Sequence, residues 1–280
     1  MTRLDVELVR RGLARSRGHA RELIVHGSVL VRGRSVHKAS VQVSDSDDIV
    51  LDLAPADGAR PVVLDASWVS RGSAKLLGAL ADLPDGGPRI EGARAADVGA
   101  CTGGFTQVLL RGGAAHVVAI DVGHDQLAAA LRAEPRVTDL SGHNVREVTA
   151  DLIGGEVDLV VADLSFISLT LVMPRLAQLV RPGGDLLLLI KPQFEVGRAG
   201  LDGRGVVRPG PWRRQSLERV LRSALDAGLG VRHLVRSRTA GQDGNTEYVA
   251  WLVRPGAPDD APIAASWQAV NDAIATVCDG

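Results

Sequence analysis

Residues 97–106 read DVGACTGGFT, and the fold is decided there. A short apolar run, Ala95–Val98, precedes the stretch and predicts a strand. The residues after it, 104–112, have helical periodicity. Gly99, Gly103 and Gly104 therefore form a turn without side-chain bulk, running from the carboxyl end of a strand into a helix. Outward from it the pattern repeats. His116–Ile120 predicts a second strand ending at Asp121, and VDLVVADLSF (157–166) predicts another ending at Asp163. Alternating strands and helices predict an α/β domain with an open parallel sheet, and small cofactors bind beyond the carboxyl ends of such strands.

The spacing also narrows the ligand. It is not the G-x-G-x-x-G of dinucleotide enzymes, and no G-K-[ST] follows to hold a nucleoside triphosphate. A leading acid, Asp97, suits a pyrophosphate poorly. It suits a cofactor that carries an amino acid group and a positive sulfur, which describes S-adenosylmethionine. Asp121 stands where an acid meets a ribose hydroxyl. The candidate cofactor residues are Asp97, Gly99, Thr102, Gly103, Gly104, Phe105, Asp121, Asn144 and Asp163.

Cations give a second signal. The chain holds only three lysines, Lys38, Lys75 and Lys191, and uses arginine elsewhere. Lysine is required where a compact or titratable amine does what a guanidinium cannot. Lys191 closes a strand in DLLLLIKPQF (185–194), and Lys75 lies in WVSRGSAKL (68–76), on a helix before the first strand of the domain.

The first fifty residues form a separate unit. Leu4 and Leu8, flanked by Val9, predict a helix over 3–12. Ser16 reads as the N-cap of a second helix, 17–26, with Ala20, Leu23 and Ile24 inward. A strand at 28–31, a turn at Arg32-Gly33, alternating Val36, Val41 and Val43, and a strand at Ile49–Leu53 follow. Residues 1–44 carry eight arginines and one lysine against three acids, a net of +6, although the whole chain is at −1. A basic patch confined to one end is the footprint of a module that docks on phosphates. Arg10, Arg11, Arg15, Arg17, Arg21, Arg32 and Arg34 are the candidate RNA-binding residues.

The stretch RLDVELVRRGLARSRGHARELIVHGSVLVRGR (3–34) resembles the S4-type RNA-binding domain. The ordered set DVGACTGGFT, Asp121, Asn144 in GHNVRE, ADLSF, IKPQF and NTEY resembles the Rossmann-like, S-adenosylmethionine-dependent methyltransferases of FtsJ type. Together, over 1–254, they resemble the TlyA family of two-domain ribosomal-RNA 2′-O-methyltransferases, also known as haemolysins. The resemblance implies a catalytic tetrad of Lys75, Asp163, Lys191 and Glu247, with S-adenosylmethionine as methyl donor. It further implies cytidines of small- and large-subunit ribosomal RNA, as naked RNA or ribosomal subunits, as the partner. Asn144 would lie on the adenine side. Lys191 would orient the hydroxyl or take its proton, aligned by Asp163, while Lys75 and Glu247 hold the ribose and fix the protonation pattern. An amine acts as base only if its pKa falls; a second amine pushes that way and the two carboxylates oppose it.

The expected organisation is an S4-type domain over 1–54, a linker over 55–66, the methyltransferase domain over 67–254 and a tail over 255–280 with a short helix at 265–277. Trp68 reads as core that caps the linker, and Phe166 as packing. Residues 194–209 read as a long loop, either a lid over substrate or simply flexible. With 45% hydrophobic residues the chain is globular, and at 3% aromatic its core rests on aliphatic side chains. Two distant cysteines point to a reducing compartment. The start, MTRLDVELVRRG, lacks a signal-type apolar run, and the longest aliphatic run is Leu186–Ile190, so a cytoplasmic protein without membrane contact is expected. The seven histidines have no ligand spacing, so no metal is expected. The competing readings are a catalytically silent RNA-binding assembly factor, a small-molecule O-methyltransferase and a membrane-active haemolysin. The basic module argues against the second, and the lack of a spanning segment against the third.

Overall fold

The computed structural model describes residues 2–14, 17–25, 29–51, 64, 67–241, 244–256 and 267–279. In the N-terminal unit β1 (Thr2–Arg3) leads into α1 (Leu4–Arg10), and α2 (Arg17–Val25) follows. Leu4, Leu8, Ala20, Leu23 and Ile24 are buried between the helices and the sheet β3–β2–β5, formed by β2 (Val29–Val31), β3 (Arg34–Ser35) and β5 (Ile49–Leu51). Arg32 and Gly33 both adopt positive φ, 54° and 73°, as a tight two-residue hairpin turn demands. β4 (Gln42–Val43) pairs with β1, a contact of the chain's start that hydrophobic patterning does not announce. Ser16, the expected cap, and Arg15 lie outside the described residues, as does the expected linker apart from Leu64.

The second unit is built from α3 (Gly72–Asp82), β6 (Arg94–Val98), α4 (Gly104–Arg111), β7 (His116–Asp121), α5 (Ala129–Arg132), β8 (Val137–Ser141), β9 (Val157–Ala162), α6 (Met173–Leu179), β10 (Val180–Ile190), α7 (Pro192–Glu195), α8 (Trp212–Asp226), β11 (Gly230–Arg236), β12 (Tyr248–Val253) and α9 (Trp267–Asp279). Its seven strands lie in the order β11–β12–β10–β9–β6–β7–β8. Pairing is parallel from β10 to β8, and β12 is antiparallel to both its neighbours. The strand order reverses between β6 and β9, so a crevice opens beyond their carboxyl ends.

Alternation along the strands sorts the core into two layers. Ala96, Val98, Val160, Ala162, Leu186, Leu188 and Ile190 face α6, α8 and α9, whereas Ala95, Leu159, Val161, Leu187, Leu189 and Val249 face α3 and α4. Side chains on a strand alternate faces with period two. Asp97, Asp163, Lys191 and Glu247 have the parity of the second set, so strand geometry directs all four to the α3 side.

Trp68 is half-buried, packs against both the N-terminal core and the α3–α4 layer, and has the Arg111 guanidinium 3.9 Å from its ring centre. The tail helix α9 buries Val270 and Ile274 in the layer that holds α8, and Arg222 stacks 3.9 Å over Trp267. The 194–209 loop carries hydrogen bonds of its own and to Asn245. Leu201 bridges Val207, and Asn245 receives the Val207 amide at 3.0 Å and donates to the Gly205 carbonyl at 3.1 Å. Among the described residues no helix is long and apolar enough to cross a membrane, and no three His, Cys, Asp or Glu side chains are grouped to hold a metal.

Candidate active site

The four residues of the expected tetrad converge. Lys75 Nζ lies 2.7 Å from Glu247 Oε2 and 3.6 Å from Asp163 Oδ2, while Lys191 Nζ lies 2.6 Å from Asp163 Oδ1. Lys75, Lys191 and Glu247 are buried, and Asp163 links the two amines. Burial alone would push the Asp163 carboxyl up, but Lys75 and Lys191 beside it hold it below its ordinary value. Burial likewise pulls Lys75 down, and the carboxylates of Asp163 and Glu247 more than offset it, leaving its pKa raised. The carboxylates thus favour the Lys75 cation, against burial and the Arg71 guanidinium.

Lys191 Nζ also donates to Ser165 Oγ at 2.8 Å, a partner that sequence reasoning missed. The serine is two residues beyond Asp163, so the same strand end supplies both the carboxylate and the hydroxyl.

The glycine turn forms the floor. Gly99 has φ of 86°, and a Cβ there would stand 2.9 Å from the Asp163 carbonyl oxygen, so only glycine lets the β6 and β9 ends approach. A Cβ on Gly104 would collide with Ser70 Oγ and the Ser73 amide, because the segment entering α3 packs on this turn. Asp97 is fully buried, with Oδ2 accepting from the Thr106 amide (2.7 Å) and hydroxyl (2.6 Å), while Oδ1 has no hydrogen-bond partner. Burial pushes its carboxyl up to about 7. Asp121 accepts from the amides of Cys101 (2.8 Å) and Gly123 (2.7 Å), and an ionised carboxylate retains capacity for further donors. Asn144 Oδ1 receives the Arg146 amide at 3.0 Å.

Two adjoining pockets share Gly99, Cys101, Asp163 and Ser165 and so form one crevice. One end holds Asp97, Thr102, Gly104, Phe105, Lys75 and Lys191. The other is more apolar, with Val98, Ile120, Asp121, Asn144, Val145 and Ile167 along it. Gly103, at φ 91°, caps the start of α4 instead of lining either pocket.

Phe166 corrects the expectation of packing. It is 88% exposed and adopts φ of 62°, a strained conformation for a bulky residue. Its ring centre is 5.2 Å from that of Phe194 at the edge of the crevice.

The basic patch is partly consumed within its own domain. Buried Asp5 pairs with Arg3, Arg17 and Arg21, and buried Glu7 pairs with Arg10 and Arg11. These hydrogen bonds hold both carboxyls well below their ordinary range. Arg11 also donates to the carbonyls of Ser44, Asp45 and Asp47, so its guanidinium is spent on joining α1 to the 44–47 turn. Most of the Arg11 guanidinium is thus committed to its own fold. Arg32 pairs with Asp47 but remains largely exposed, and Arg34 is exposed.

Comparison with known proteins agrees with this architecture. The S4 domain family matches residues 2–49 and the FtsJ-like methyltransferase family matches 68–254. A Mycobacterium tuberculosis protein named 16S/23S rRNA (cytidine-2′-O)-methyltransferase TlyA is 47% identical over 89% of this chain and 89% of its own. A solved Streptococcus thermophilus chain, described as a candidate hemolysin, is 33% identical with a TM-score of 0.69, covering 98% of this chain and 94% of that one. A Listeria monocytogenes structure described as a candidate S-adenosylmethionine-dependent methyltransferase is 12% identical with a TM-score of 0.50, over 65% of this chain and 99% of that one, and shares the fold alone. By both domain matches and full-length identity, this chain belongs to the TlyA family, an S4 domain followed by an FtsJ-like methyltransferase domain.

Proposed function

We propose that this protein methylates the ribose 2′-hydroxyl of cytidines in ribosomal RNA, of one or both subunits, with S-adenosylmethionine as donor. The observation that carries the reading is the Lys75–Asp163–Lys191–Glu247 cluster at the end of a crevice floored by the glycine turn. The crevice fits the donor: unpartnered Asp97 Oδ1 offers an acceptor to an ammonium, and the apolar pocket beside Asp121 and Asn144 suits an adenosine. When bound, the donor supplies an electrophilic methyl on a positive sulfur.

The remaining work falls to this chain. A sugar hydroxyl is a weak nucleophile, so alignment contributes most, on the order of 7–11 kcal/mol for well-oriented groups. Lys191, steered by Asp163 and Ser165, holds the 2′-oxygen, and once its own proton has passed to solvent the neutral Nζ takes the proton that the hydroxyl gives up. Lys75, held cationic by Glu247, supports the ribose and keeps Asp163 ionised. Exposed Phe166 gives an aromatic face for the base of the target nucleotide, and Arg10, Arg17, Arg21, Arg32 and Arg34 supply cations for phosphates.

Mapping ribose methylation across ribosomal RNA from cells with and without the protein tests the reading. Cytidine 2′-O-methyl marks that vanish with the protein are expected, and identical maps would overturn it.

A further inference from the structure

Glu195 is a further buried acid of this domain, and the roles above do not use it. It ends α7, four residues after Lys191, and is 3% exposed. Its Oε1 accepts from the Leu169 amide at 2.8 Å and its Oε2 from the Ser168 hydroxyl at 2.5 Å. Ser168 Oγ in turn receives the Thr170 amide at 3.2 Å, capping the turn Leu169–Leu171. The Glu195 carbonyl accepts from Arg219 Nη1 at 2.7 Å, which pins the end of α7 to α8. Burying a carboxylate without a full ion pair is costly, and an apolar filler would pack there with less penalty.

The carboxylate cross-links two segments. One leaves β9 and carries Asp163, Ser165 and Phe166; the other leaves β10 and carries Lys191 and Phe194. Between the strand ends and Glu195 lie the Lys191–Asp163 pair, the Lys191–Ser165 hydrogen bond and the Phe166–Phe194 contact. Phe166 keeps its positive φ only if its surroundings over-determine the turn. Glu195 holds Ser168 and Leu169, two and three residues beyond Phe166.

We propose that Glu195 is a positioning residue for methyl transfer, clasping the segments after β9 and β10 so that Ser165 seats Lys191 and Phe166 stays at the mouth of the crevice. The proposal rests on the functional reading above. It predicts that Glu195 acts on Lys191 without touching donor or substrate.

With only three lysines in the chain, ε-13C-lysine labelling yields three assignable signals. Glu195→Ala is expected to lower kcat about 10- to 100-fold, the scale of a misplaced reacting group. S-adenosylmethionine affinity should stay within about twofold. The Lys191 signal should move while those of Lys38 and Lys75 stay. Glu195→Gln should restore most of kcat, since its amide oxygen can accept from Leu169 and its nitrogen donate to Ser168. If Glu195→Ala does not fold, Ser168→Ala decides, with a several-fold loss of kcat and the same selective signal shift. An unmoved Lys191 signal with kcat near wild type overturns the proposal, as does parallel loss of donor binding and all three signals. Absence of methyl transfer by the wild type would defeat the enzymatic reading instead, while the lysine spectra still judge the clasp.

Discussion

The Lys75 ammonium lies 2.7 Å from Glu247, and both side chains are buried, although one sits near the start of the domain and the other opens its last strand. Removing Lys75 leaves the buried Glu247 carboxylate without its cation, and removing Glu247 leaves Lys75 only the longer contact to Asp163, 3.6 Å away. Lys75→Met or Glu247→Gln should each cost about 3–5 kcal/mol of stability, more than the double variant costs. Urea unfolding of the three variants measures this, and single variants as stable as wild type would contradict it.

Asp97 predicts a pH dependence. Its folded carboxyl is raised from 3.8 to about 7, so the stability it contributes to the ligand-free protein is complete below about 3.8 and is lost as pH rises through about 7. An ammonium-bearing ligand prefers the ionised form. Calorimetric titration should therefore show S-adenosylmethionine binding tightening as pH rises through about 7, with proton release near pH 6. Asp97→Asn should bind more weakly and lose that slope.

Gly241 guards Glu247. A Cβ at this glycine would run into the Glu247 carboxylate, displacing it from Lys75. Gly241→Ala should lower kcat about tenfold or more while donor affinity changes little. Steady-state kinetics paired with donor titration separate the two effects.

Much of this was legible in the sequence for a local reason. The glycine turn, Asp121, Asp163 and Lys191 all sit at strand ends, where alternation and punctuation are strongest. What escaped was set by distant partners. The i,i+4 spacing of Glu7 and Arg11 is local, but nothing local reports that Arg11 is also spent on the 44–47 carbonyls, which come from another turn. Phe166 looked like core because it is aromatic and follows an apolar strand, yet its positive φ turns it to solvent. The order of the 194–209 loop depends on Asn245, far along the chain.

The basic module divides into two classes of arginine. Arg11→Ala should lower the melting temperature by several degrees, whereas Arg34→Ala should leave it unchanged. Arg34→Ala should weaken ribosomal RNA binding and reduce the slope of log affinity against log salt by about one, the loss of one phosphate contact. Thermal melts and salt-dependent binding of both variants check the division.

Single-turnover methyl transfer by Lys191→Arg, at saturating ribosomal RNA and donor, bears most directly on the cluster's role. Arginine keeps a cation beside Asp163 but, unlike lysine, cannot give up its proton near neutral pH and so cannot become a base. A rate at least about 100-fold below wild type, with donor affinity intact, is the predicted result. A rate near that of the native enzyme would contradict the assignment of the 2′-hydroxyl proton to Lys191 Nζ.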